Sequence, residues 1–185
     1  MKNIVLSIFL IFCCIVFAYG QMESDFMYSV SNETVTIIGY RGTAIDVIIP
    51  TRLNNLPVTS IGNSAFSYKN LTSVIMPNSV TSIGESAFMF NNLTNVIIPN
   101  SVTSIESHAF ANNQITSVTF GNSVSAIERG AFRNNQLNSI VIPDSVTFIG
   151  IEAFHGNQLT SVFIPISVLF IVGYEFDINV IIIIE

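Results

Sequence analysis

The dipeptide Ala-Phe recurs at Ala65-Phe66, Ala87-Phe88, Ala109-Phe110, Ala131-Phe132 and Ala153-Phe154, each phenylalanine 22 residues after the last with no insertion or deletion. The full units begin at Ile61, Ile83, Ile105, Ile127 and Ile149, and the second reads IGESAFMFNNLTNVIIPNSVTS. A fixed period of about 20–50 residues marks stacked units, none of which can bury its apolar face alone. The chain must therefore coil on itself, one unit sheltering the next, and successive phenylalanines should line up in one column.

Within the first unit the apolar positions are Ile61, Ala65, Phe66, Leu71, Val74, Met76 and Val80. Val74 and Met76 alternate with Ser73 and Ile75, a period of two that predicts a short strand. Pro77 ends it, because proline lacks the N–H that a ladder requires. Pro99, Pro143 and Pro165 end the matching strands, and Gly121 takes that place in the third unit. Val80 to Ile83 reads as a second extended stretch, while the Ala-Phe segment has room for a single helical turn. The expected fold class is mainly β: a solenoid of 22-residue repeats with a parallel sheet and short helical turns.

The spacing L-x-x-V-x-I-P, seen at Leu93-Thr-Asn-Val96-Ile-Ile98-Pro99, resembles the first half of a leucine-rich repeat. With the following S-V-T-S-I and the Ala-Phe pair, the unit resembles the BspA-type leucine-rich repeat of microbial surface proteins. The resemblance covers residues 61–170, and more faintly 34–60 and 171–185. It implies a right-handed solenoid with a parallel sheet on one face, and a role in adhesion to host proteins or other cells.

The flanks break the period. Met1 and Lys2 precede an apolar run from Ile4 to Phe17, and Ala18-Tyr19-Gly20 supplies small residues for a cut before Gln21. Residues 1–20 are thus expected to be a secretory signal peptide. A membrane span needs about 20 apolar residues and usually a charged stop, neither of which this segment has; a retained N-terminal anchor is the alternative reading. Cys13 and Cys14 both lie in this segment, which would leave an exported chain without disulfides. Residues 21–60 are read as an N-terminal cap, with strands at Tyr28-Ser-Val30 and Thr34-Val-Thr-Ile-Ile38 around a Ser31-Asn32-Glu33 turn. Residues 61–170 hold the five repeats, and 171–185 a partial sixth without a polar cap. There Ile171 and Phe176 keep the phase, Glu175 replaces the alanine, and Ile181 to Ile184 occupies the next strand position. An open β-branched edge of this kind favours association, so self-association through it, a naturally short chain and a piece of a longer array all stay open.

Composition limits the chemistry. With 6 Lys+Arg against 12 Asp+Glu and a net charge of −6, the chain lacks the clustered cations that nucleic-acid binding requires. His108 and His155 lie two units apart, and no Cys remains after residue 20, so no zinc set is expected. Glu85, Glu106, Glu128 and Glu152 fall near equivalent positions, but their offsets drift, which reads as a solvated face rather than a calcium row. Asn91, Asn113, Asn135 and Asn157 recur just before each strand, with Lys69 in the first unit, and are read as structural stacking. No catalytic constellation, metal site or cofactor motif appears, and an enzyme is not expected.

That leaves the strand positions facing away from the core. Alternation places Ile75, Ile97, Thr119, Val141 and Phe163 in one outward row, and Ser73, Asn95, Ser117, Ser139 and Ser161 in the row beside it. These ten residues are the expected partner-binding face, a shallow apolar stripe edged by hydroxyls and suited to a protein partner. The alternative is that β-branched residues there simply suit a sheet. The expectation is a secreted or cell-surface binding module, a candidate adhesin, with no membrane span once the signal is removed.

Overall fold

In the computed structural model, residues 21–168 and 174–184 are described; the predicted signal segment 1–20 and the in-phase Ile171 lie outside them. The described chain is a β-solenoid of about seven turns. Its strands are β1 (Phe26–Ser31), β2 (Thr34–Tyr40), β3 (Asp46–Ile48), β4 (Arg52–Leu53), β5 (Leu56–Ile61), β6 (Ser73–Ile75) and β7 (Ser82–Ile83). They continue as β8 (Asn95–Ile97), β9 (Ser104–Ile105), β10 (Ser117–Thr119), β11 (Ala126–Ile127), β12 (Phe148–Ile149), β13 (Ser161–Ile164) and β14 (Ile181–Ile184).

The phenylalanines form the expected column. Phe66, Phe88, Phe110, Phe132, Phe154 and Phe176 stack in order, with ring centroids 5.1–5.6 Å apart and planes within 10°. Tyr40 and Phe26 begin the column by packing on Phe66 at 5.5 and 6.4 Å. All are buried, together with the paired alanines and the strand residues Val74, Val96 and Val162. Sheltering of one unit by the next is thus visible ring by ring.

The longest continuous sheet is built from the second extended stretch. It runs β1-β2-β5-β7-β9-β11-β12, with β4 paired to β5, and its rungs are parallel from β2 onward: Ile61 on Ile83, Ile83 on Ile105, Ile105 on Ile127, Ile127 on Ile149. The strands of the V-x-I phrase pair in shorter pieces: β3 with β6, β8 with β10, β13 with β14, and Val141 bridging Phe163. At the N-terminal side β1 and β2 form an antiparallel hairpin around Asn32 and Glu33, both left-handed.

One expectation needs correction. The Ala-Phe segments are not helical turns; the only helix among the described residues is the short 3-10 segment Glu23–Asp25. Each corner instead holds two left-handed residues, two before and two after the phenylalanine: Ser64 and Tyr68, Ser86 and Phe90, His108 and Asn112, Gly130 and Asn134, Glu152 and Gly156, with φ between 55° and 75°. A left-handed residue every four positions prevents a right-handed helix from propagating. Isolated turn bonds such as Ala65 N–H to the Gly62 carbonyl and Ser67 to Ser64 alternate with bonds between coils, as in Phe66 N–H to the Ala87 carbonyl, Phe88 to Ala109, Phe110 to Ala131 and Phe132 to Ala153, these four all 2.8 Å.

Candidate partner-binding surface

The outward rows sit where alternation places them. Ile75, Ile97, Val141 and Phe163 are 58%, 69%, 82% and 50% exposed, while their chain neighbours Val74, Met76, Val96 and Ile98 are buried. Thr119 is exposed, as are Ser73, Asn95, Ser117, Ser139 and Ser161. The two rows are therefore adjacent on one surface, positioned by the short parallel ladders, and all ten residues lie on it.

The ladder registers lengthen the apolar row beyond what period 22 could show. Ile48 pairs with Ile75 across a 27-residue offset, and Ile183 pairs with Phe163 across a 20-residue one. Those offsets hide both residues from a fixed-period reading; the only sequence signals are the phrase Val47-Ile48-Ile49-Pro50 and the run Ile181 to Ile184. The hydroxyl row largely bonds to itself and its flank. Ser117 Oγ donates to Asn95 Oδ1 at 2.6 Å, and Ser73 Oγ and Thr72 Oγ1 donate to Asp46 Oδ1 at 2.7 and 2.6 Å. Those two hydroxyls hold the Asp46 carboxyl below the usual aspartate range.

Charge is segregated. From β6 to β14 the outward strand residues include no Asp, Glu, Lys or Arg, whereas Glu85, Glu106, Glu128, Arg129, Arg133 and Glu152 all lie in the Ala-Phe corners. Glu152 takes the Arg133 guanidinium at 3.0 Å and Arg129 at 3.8 Å. His155 Nε2 lies 3.4 Å from the Asp177 carboxylate. Among the described residues no three His, Cys, Asp or Glu side chains are grouped to hold a metal ion.

Glu128 is pushed above the usual glutamate value, first by burial and then by the neighbouring Glu106 carboxylate. An acid raised in the folded state favours folding while protonated, and that contribution is lost as pH rises through its folded value. Glu128→Gln should therefore stabilise the fold at pH 7 by up to about 0.5 kcal/mol, with the gain vanishing below about pH 4 as both acids protonate. Thermal melts at the two pH values measure this; an equal gain at both would refute it.

The recurring asparagines, buried at Asn91, Asn113 and Asn135 and half-buried at Asn157, share a specific geometry. Asn91 Oδ1 accepts the Leu71 and Lys69 N–H groups at 3.0 Å, and its Nδ2 donates to the Phe66 and Phe88 carbonyls at 2.8 and 2.9 Å. Asn113, Asn135 and Asn157 repeat the pattern one coil on. In the last coil Asp177 accepts the Gly156 and Asn157 N–H groups at 3.0 and 3.2 Å. The asparagines thus tie coil to coil and belong to the scaffold.

Parallel rungs, one phenylalanine column and an asparagine ladder define a leucine-rich-repeat solenoid. Residues 59–181 match the BspA type leucine rich repeat region in six copies. The chain belongs to that family. Its structural neighbours include a leucine rich repeat protein of T. pallidum (23% identity, TM-score 0.68, covering 89% of this chain and 85% of that one). A leucine-rich repeat protein of Bacteroides ovatus is similar at 24% identity and TM-score 0.66, with 76% of this chain and 46% of that one covered. One from Eubacterium ventriosum is similar at 25% identity and TM-score 0.59, with 84% and 40% covered. The chain thus spans less than half the length of the latter two. No curated protein matches it in sequence. Repeats of this family are typically non-enzymatic protein-interaction scaffolds of surface or secreted proteins, and no helix among the described residues is long and apolar enough to cross a membrane.

Proposed function

We propose that the chain is an exported, non-enzymatic protein-binding module, a candidate adhesin, that engages a host or cell-surface protein through its outward strand face. The observation that carries this reading is the exposed row Ile75, Ile97, Val141 and Phe163 on a face whose one charged strand residue is Asp46 at its N-terminal end. Large side chains left in water on a regular surface mark interaction sites more often than singly scattered ones do. Their hydroxyl and amide neighbours supply the polar rim that interfaces use.

Replacing Ile97, Val141 and Phe163 together by Ser should weaken partner binding at least about tenfold and leave the far-UV circular dichroism unchanged. Binding is read by a screen against host matrix proteins and surface proteins. Because Asp46 is the one charged strand residue of the face, raising salt from 0.05 to 0.5 M should change affinity by less than about threefold. Collapse of the fold in the triple variant, or full retention of binding, would remove the reading.

A second reading rests on β14, whose Ile181 and Ile184 are 65% and 64% exposed. Its outer edge would pair with another copy. Light scattering across a concentration series tests this, and a monomer at high concentration excludes it.

A further inference from the structure

Two coils break a rule that the others keep. The second left-handed corner position holds Asn112, Asn134 and Gly156 in the third to fifth units, at φ 56°, 55° and 75°. Asparagine and glycine enter that region at least cost. In the first two units the same position holds Tyr68 and Phe90, at φ 56° and 57°. Their rings stack on each other at 4.5 Å with planes 20° apart, and they are 68% and 39% exposed. A bulky aromatic here has neither backbone preference nor full burial in its favour.

The next two residues of the corner line are amides. Asn134 Nδ2 donates to Asn112 Oδ1 at 3.0 Å, continuing the corner line beyond Phe90. Two residues further along each coil stand Asn70, Asn92 and Gln114, and Gln114 Nε2 donates to Asn92 Oδ1 at 2.9 Å. Lys69 is the only charged residue between Tyr68 and Gln114 apart from Glu85 and Glu106, which precede their own Phe by three and four positions.

We propose that Tyr68 and Phe90 form a stacking platform for a neutral pyranose residue of a glycan. A pyranose ring offers C–H groups on one face, which the negative face of an aromatic ring attracts. Its rim carries hydroxyls, and an amide meets these with a donor and an acceptor together. An apolar peptide side chain would leave the amides facing carbon. An anionic sugar would have one lysine to meet it. The platform lies at the corner, apart from the strand face, and does not depend on the protein-binding reading. Its small footprint makes single-site binding weak, so display of several copies of the sugar should strengthen it.

The test uses the full chain on an array of immobilised neutral and sialylated glycans, with methyl pyranosides titrated against tyrosine emission, which no Trp obscures. Neutral glycans should be retained and sialylated termini not preferred. The double substitution Tyr68→Asn, Phe90→Asn installs the residue type of later coils. It should lower glycan binding about tenfold or more while leaving the melting temperature unchanged or raised by up to about 3 °C. Failure to retain any neutral glycan, unchanged binding by the double variant, or a melting temperature lowered by more than about 5 °C would each overturn the proposal.

Discussion

Phe110→Ala is expected to destabilise the protein by about 3–5 kcal/mol, the range for truncating a fully buried aromatic. Phe110 is 0% exposed and lies between Phe88 and Phe132, at 5.1 and 5.3 Å, with ring planes only 6° and 7° from parallel. The substitution therefore removes two stacking contacts as well as the burial, and it opens a void that neighbouring coils cannot close. Backbone bonds from Phe110 to Ala131 and from Phe88 to Ala109 fix the coil spacing on both sides. In a repeat array each unit is held only by its neighbours, so a central void weakens both interfaces at once. Urea denaturation followed by circular dichroism should show the loss. A reduced denaturant slope would accompany it if the two halves begin to unfold separately. Phe163→Ala, at a half-exposed outward position, should cost about 1 kcal/mol or less. If the two variants lose similar amounts, the column is not what holds the coils together.

Much of this architecture was legible because the sequence repeats its chemistry as well as its spacing. The unbroken 22-residue interval of Phe66 to Phe154 admits one stacking solution, and alternation at Ser73-Val74-Ile75-Met76 assigns inside and outside without ambiguity. The corners were not legible. Ser64, Ser86, His108 and Glu152 adopt left-handed backbone that glycine would have announced, and only Gly130 announces it at that position. Inter-coil hydrogen bonds override local propensity there, so a short segment that reads as a helical turn becomes a corner. The order of the sheets was hidden for a related reason. The longest ladder uses two-residue rungs such as Ser82–Ile83, too short to give a periodic signal. On the candidate face, Ile75 through Phe163 were found by alternation, whereas Ile48 and Ile183 join through offsets of 27 and 20 residues. At the ends of an array, loop length rather than period decides which residues become neighbours.

Asn113→Leu should cost about 2–5 kcal/mol, although leucine is larger and more apolar than the residue it replaces. Asn113 is buried, and its amide serves four backbone groups, among them the Ala111 carbonyl at 3.3 Å. Its Oδ1 accepts the Leu93 N–H at 3.1 Å, and its Nδ2 donates to the Phe88 and Phe110 carbonyls at 3.0 and 3.1 Å. Leucine would leave the Leu93 N–H buried without an acceptor, at about 1–3 kcal/mol, while the Phe88 and Phe110 carbonyls keep Asn91 and Asn135 as donors; the larger side chain must also crowd a packed site, at about 1–3 kcal/mol. Asn113→Asp separates hydrogen bonding from volume. The introduced carboxylate still accepts from Leu93 but opposes two carbonyl oxygens, so it should be strongly destabilising at pH 7. Burial and the facing carbonyls raise the introduced acid's folded pKa, so its favourable form is the protonated one. Stability relative to the wild type should thus recover as pH falls toward about 4, where one donor is restored. Asn138→Ala, at an exposed position, should stay within about 0.5 kcal/mol of the wild type. Hydrogen exchange at the Leu93 amide reports the bond directly: protection should drop by more than the global loss of stability in Asn113→Leu, and by no more than that loss in Asn113→Asp, which keeps the acceptor. A Leu variant as stable as the wild type would mean that the coils are held by their apolar column alone, and that the recurring asparagine is a turn residue with no part in joining one coil to the next.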